Sequence, residues 1–265
     1  MSETISSIFR SLRIHNQCAL VPFITVGDPD LETTEKIVNI LDNEGANIIE
    51  LGIPYSDSLA DGPVIQEAAA RALRHGTKFT EIIKLITKIA PRISSAIVLF
   101  TYYNLILSQE CKLFVSRIAL AGVKGLIVPD LPIEEADELL SLCNRYNVEL
   151  ILLISPTSSV ARIKKITEKA QGCIYIVAST GVTGIRPNLA LEVQGLINKV
   201  KEFTVKPLIV GFGISTPTHV SLVKSWGVDG VVLGSAFVKK ISSCDKDNML
   251  IYIRKFCQQI KQATQ

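Results

Sequence analysis

The chain of 265 residues is 48% hydrophobic and 20% charged, with 16 Gly and 11 Pro, a balance that excludes a disordered, collagen-like or fibrous protein. Its 28 Lys and Arg against 25 Asp and Glu leave a formal charge of +3, scattered along the chain, so no nucleic-acid partner is expected. No run approaches the roughly 18 apolar residues of a membrane span, and the six Cys have no metal-ligand spacing to one another or to His15, His75 and His219, so neither a membrane nor a metal is expected.

Residues 5–15 read as a helix ahead of the first strand, in position to close the bottom of a barrel. Short runs rich in Ile, Val and Leu then recur, starting near Ala19, Ile48, Ile97, Leu126, Leu150, Ile174, Leu208 and Val231. Each is followed by a turn signal and helical periodicity, the pattern of a parallel sheet with crossover helices. The spacing predicts helices over 31–44, 64–75, 80–90, 108–121, 134–146, 160–170, 189–201, 217–226 and 249–261. Two of these fall between the second and third runs, so the second unit carries an extra helix. Asp30 is placed to cap the first of these helices, and Pro217 suits the first turn of its own. Gly45, Gly122 and Gly227 stand where a left-handed residue ends a helix.

Eight strand–helix units without a linker predict an α/β chain folded as a single (β/α)8 TIM barrel, one domain over residues 1–265. A doubly wound open sheet competes, but it needs a switch point and a nucleotide fingerprint that the sequence lacks. In a barrel, chemistry sits at the carboxyl ends of the strands. There Glu50 closes the apolar run that starts at Ile48, where poor solvation raises a carboxyl's pKa toward neutrality and fits it for proton transfer. A capping or salt-bridged carboxylate is the other reading. Asp61 follows in a Gly- and Pro-punctuated loop, as a second acid over the same ligand or as a turn former.

Glycine-bearing loops follow the last three runs, at Gly181 to Gly184, at Gly211, Phe212 and Gly213, and at Gly234 and Ser235, the last opening a further helical segment. Loops after strands seven and eight, with a helix N-terminus, form the phosphate cradle of this architecture. The expected substrate is therefore a small phosphorylated molecule. Phe23, Phe100, Tyr102, Tyr175 and Phe212 are either core or the walls of a slot for a flat aromatic group.

These segments carry a resemblance. Residues 50–66, from Glu50 through Asp61 to Gln66, are similar to the signature of the tryptophan synthase alpha chain family. Pro22-Phe-Ile-Thr-Val-Gly-Asp-Pro29, Thr101-Tyr-Tyr-Asn104, Val128-Pro-Asp130-Leu-Pro132, Gly181-Val-Thr-Gly184, Gly211-Phe-Gly-Ile-Ser215 and Leu233-Gly-Ser235 follow in the family's order. Ser58 and Leu105 depart from it, the first where the family usually has Pro and the second where Pro often follows Asn104, both in loops used near the partner subunit.

The resemblance implies retro-aldol cleavage of indole-3-glycerol phosphate to indole and glyceraldehyde 3-phosphate, without cofactor. It gives Glu50 the two proton transfers and Asp61 the charge beside the indole N–H. It also implies that Thr183 orients Asp61 when the sixth loop closes, and that Gly184 beside it contacts the substrate. Phe23, Phe100 and Tyr175 then line the indole slot, while Gly213, Gly234 and Ser235 hold phosphate. A tryptophan synthase beta chain is the implied partner, in an alpha2-beta2 tetramer, docking on loops that carry Pro54, Asp57, Asn104, Asp130 and Pro132. A free-standing lyase and a catalytically silent activator are the rivals. Residues 1–10 lack the pattern of a signal or transit peptide, so a soluble protein of a bacterial cytoplasm or plastid stroma is expected.

Overall fold

The computed structural model describes residues 4–177, 187–211, 213–243 and 246–265. In chain order, α1 (Ile5–Ile14) precedes β1 (Ala19–Thr25), α2 (Leu31–Asn43) and β2 (Ile48–Gly52). After these come α3 (Pro63–Arg74), α4 (Phe79–Ile89), β3 (Ala96–Phe100), α5 (Tyr103–Ser108), α6 (Cys111–Ala121) and β4 (Gly125–Ile127). Next are α7 (Asp137–Arg145), β5 (Glu149–Ile154), α8 (Val160–Lys169), β6 (Ile174–Val177) and α9 (Pro187–Lys201). The chain closes with β7 (Leu208–Gly211), α10 (Pro217–Ser225), β8 (Gly230–Leu233), α11 (Ser235–Ser242) and α12 (Lys246–Thr264).

The eight strands form one closed barrel in sequence order, every pair parallel, with β8 returning to β1. Period-2 alternation divides each strand between two cores. Outward residues such as Leu20, Ile49, Leu99, Leu152 and Val231 pack under the helices. Inward residues, among them Val21, Ile48, Val98, Ile151 and Ile209, form a second core with Ile5, Ile8, Phe9 and Leu12 of α1. The first helix thus closes the amino-terminal end of the barrel, as its position ahead of β1 predicts. Thr4 caps it by accepting from Ser7 N–H at 3.1 Å. Ser6 fastens it to the start of β5, donating from Oγ to the Glu149 carboxylate at 2.8 Å. Burying Phe9 alone is worth about 1.5–3 kcal/mol. With that end sealed, the carboxyl ends of the strands are left as the open mouth.

Asp30 caps α2 through Thr33 N–H at 2.7 Å, and Pro217 opens α10. Gly45, Gly122 and Gly227 leave their helices at φ +86°, +100° and +73°. The expected helix over 108–121 is α6, starting at Cys111, and a separate short helix not expected from the sequence, α5, precedes it. Glu110 takes φ +63°, a left-handed conformation uncommon for a residue with a side chain, and this bends the chain between α5 and α6. The extra helix of the second unit is present, α3 and α4 both lying between β2 and β3. Among the described residues no helix is long and apolar enough to cross a membrane.

Candidate active site

Glu50 is the central residue of β2 and points into the barrel, in register with Phe23 of β1 and Val98 of β3. It is 1% exposed, and its Oε2 has no hydrogen-bond partner. Burial, and then the neighbouring Asp61, push its carboxyl pKa up to about 8. A carboxylic acid in such a place holds its proton at neutral pH and can still release it.

Asp61 is brought over this floor by the turn after β2, which Asp61 N–H closes onto Ser58 C=O at 3.1 Å. Its Oδ2 accepts the Tyr102 hydroxyl at 3.0 Å. Burial raises its pKa to about 6, and the Tyr102 hydrogen bond pulls the other way. The same Tyr102 oxygen accepts Ala60 N–H at 3.1 Å. Burial and the Asp61 charge hold the Tyr102 phenol well above its ordinary range.

Phe23 and Phe100 meet edge to face with centroids 5.7 Å apart. Gly52 permits this: a Cβ there would stand 2.5 Å from Phe23 Cζ. A cavity of about 540 Å³ opens between these groups, lined by Glu50, Asp61, Phe23, Phe100 and Tyr175. Gly213, Gly234 and Ser235 line it too. Gly213 sits at φ +64°, where a side chain is strained. Gly234 precedes the first turn of α11, whose free backbone N–H groups suit an anion.

The structure thus gathers Glu50, Asp61, Phe23, Phe100, Tyr175, Gly213, Gly234 and Ser235 around one cavity. Tyr102 is not among the lining residues, because its hydroxyl is turned onto Asp61. Thr183, Gly184 and Phe212 lie outside the described residues. Of the residues expected on the docking rim, Asp57, Asn104, Asp130 and Pro132 are exposed. Pro54 is buried and offers no surface there.

Sequence reasoning missed Val64 and Ile65, which reach the cavity from the first turn of α3 and pack with Phe23 and Phe100. It also missed Leu153 and Val177. The latter two follow Ile151 and Tyr175 by two residues, so strand alternation was a signal for them.

Two carboxyl groups with proton affinities raised toward neutrality, sharing the mouth of one barrel, define an acid–base enzyme of the TIM-barrel class. Sequence and fold then converge on a single family. Residues 9–265 match the profile of the family described as Tryptophan synthase alpha chain. The chain is 50% identical over 261 residues to the tryptophan synthase alpha chain of Pyropia yezoensis, covering 98% of each. Its fold matches a chain of Mycobacterium tuberculosis tryptophan synthase with TM-score 0.91 and 29% identity, over 100% of this chain and 99% of that one. A chain of the tryptophan synthase complex from Pyrococcus furiosus matches at TM-score 0.85 and 32% identity, over 92% and 98%. The chain belongs to the tryptophan synthase alpha chain family, and as a member it is a lyase of tryptophan biosynthesis.

Proposed function

We propose that this chain cleaves indole-3-glycerol phosphate to indole and glyceraldehyde 3-phosphate and passes the indole to a tryptophan synthase beta chain. The observation that carries this reading is the placement of buried Glu50, with its Oε2 unpartnered, on the same cavity as Asp61. Breaking the bond between indole C3 and the glycerol chain needs a proton at C3, a base for the hydroxyl that becomes the aldehyde, and negative charge beside the indole N–H.

Glu50 serves both proton transfers, for which a carboxyl poised near neutrality is suited. Asp61, more readily ionised, faces the ring nitrogen as positive charge develops there. Phe23, Phe100 and Tyr175 sandwich the ring, and the amides about Gly213, Gly234 and Ser235 receive the phosphate. Thr183, Gly184 and Phe212 are assigned to the site by the sequence and the family resemblance alone.

The beta chain docks around Asp57, Asp130 and Pro132 on loops and Asn104 in the first turn of α5, at the mouth from which indole leaves, and the assembly is an alpha2-beta2 tetramer. A bacterial cytoplasm or plastid stroma is the proposed compartment. The buried free thiols of Cys18, Cys111, Cys143, Cys173 and Cys257 suit such a reducing setting.

Indole release from the synthetic substrate, by the chain alone and on titration with a tryptophan synthase beta chain, tests the reading. Slow release that the beta chain accelerates is expected. Full activity without a partner identifies a free-standing lyase, and no release in either state rejects the proposed reaction.

A further inference from the structure

We propose that Tyr102 is a positioning residue for Asp61, its hydroxyl pinning the loop after β2 and aiming the Asp61 carboxylate into the cavity. The inference rests on the acid–base reading of Asp61 given above. One phenol oxygen spends both its capacities on adjacent residues of that loop: it donates to Asp61 Oδ2 at 3.0 Å and accepts from Ala60 N–H at 3.1 Å. Among the described residues, the other hydrogen bonds of residues 57–62 stay within the loop or run to α3, as from Gln66 Nε2 to Ser58 C=O at 3.1 Å. Tyr102 is therefore the tie from this loop across to the β3 side of the mouth.

Its own seat is rigid. The residue is 3% exposed, and its ring lies edge-on to Phe100 at 6.2 Å and beside Tyr55 at 5.3 Å. The next residue, Tyr103, donates its N–H to the Asp130 carboxylate at 2.9 Å. Asn104 Nδ2 donates to the Tyr55 hydroxyl at 3.0 Å. Exposed Asn104 and Asp130 thus brace the aromatic pair that holds Asp61, which places the rim two contacts from the cavity.

The titratable groups facing Asp61 are Glu50 from β2 and Tyr175 from β6, both acids whose own proton affinities the Asp61 charge raises. Asp130 acts on Tyr102 in the same sense. On Asp61 itself burial raises the pKa and the Tyr102 hydrogen bond opposes it, so loss of that bond raises the proton affinity of Asp61 while also loosening its aim.

The test is Tyr102→Phe in the full chain, which keeps the ring and its packing. Expected are a kcat about tenfold lower, the scale of one hydrogen bond to a charged group, and a KM within about twofold, since the cavity walls are unchanged. The Asp61 titration midpoint, followed by carboxyl 13C NMR, moves upward from near 6, and the acidic limb of the rate profile moves with it. In an Asp61→Asn background the same change costs no further kcat.

A wild-type kcat, an unmoved midpoint, or an equal loss in the Asp61→Asn background overturns the proposal. If the midpoint moves but the wild-type chain releases no indole, the positioning stands and the assigned reaction falls.

Discussion

Glu50 on β2 lies in register with Phe23 on β1, so a carboxyl and an aromatic ring enter the barrel mouth side by side from neighbouring strands. Both are buried there, Glu50 1% and Phe23 4% exposed. Burial of this kind has a consequence for stability. Glu50 binds its proton more tightly folded, up to about 8, than its ordinary 4.5. Its contribution to stability is therefore complete below about 4.5 and is lost as pH rises toward 8. Urea unfolding followed from pH 4.5 to 9 should show stability falling over this window in the wild type, with a flatter slope in Glu50→Gln. Equal slopes for the two proteins would contradict the buried, proton-holding state.

Gly234 offers a clean electrostatic probe of the phosphate cradle. Its φ of −96° is not the left-handed conformation that requires glycine, and an added Cβ would stand in ordinary contact, 3.5 Å from Ile65 and Phe23. Gly234→Asp therefore fits sterically while placing a negative charge before α11, where a dianion is to bind. KM should rise by about tenfold or more, because like charges in a partly desolvated site repel strongly, with little change in Tm. A KM within twofold of wild type would place the phosphate elsewhere.

The wall supplied by α3 depends on an ion pair. Asp28, 2% exposed in the loop after β1, receives two hydrogen bonds from Arg71 of α3, both 2.8 Å. Arg71→Met leaves the Asp28 charge buried and unpaired. The expected cost is about 2–3 kcal/mol, below the roughly 3–5 of a fully buried pair because Arg71 is a third exposed. Since α3 carries Ile65 to the cavity, KM should rise as well. Unchanged urea midpoints would show that the pair holds nothing in place.

The barrel was legible because its strands are buried on both faces and read as continuous apolar runs. The expected starts near Ala19, Ile48, Ile174 and Leu208 coincide with the strand ends, whereas those at Ile97, Leu126, Leu150 and Val231 fall one residue late. There the strands open on Ala96, Gly125, Glu149 and Gly230, small or charged residues that interrupt the apolar signal. Glu50 stood out as a lone acid in such a run. The role of Tyr102 did not, since an aromatic residue at a strand end reads as packing. Only the folded loop brings Asp61 and Ala60 to its hydroxyl. The break between α5 and α6 was equally hidden, because Glu110 adopts a left-handed conformation that its residue type does not advertise.

The division of labour between the two carboxyl groups is the centre of this account, and kcat with ligand affinity for Glu50→Gln, Asp61→Asn and Asp61→Glu tests it most directly. Glu50→Gln keeps size but cannot carry a proton, so indole release should fall by at least about 10²–10⁴-fold. Asp61→Glu keeps the charge that Asp61→Asn removes and should be the more active of the two, while all three still bind a phosphorylated ligand through the untouched cradle. A Glu50→Gln enzyme with near wild-type kcat, or an Asp61→Asn enzyme faster than Asp61→Glu, would contradict the roles assigned.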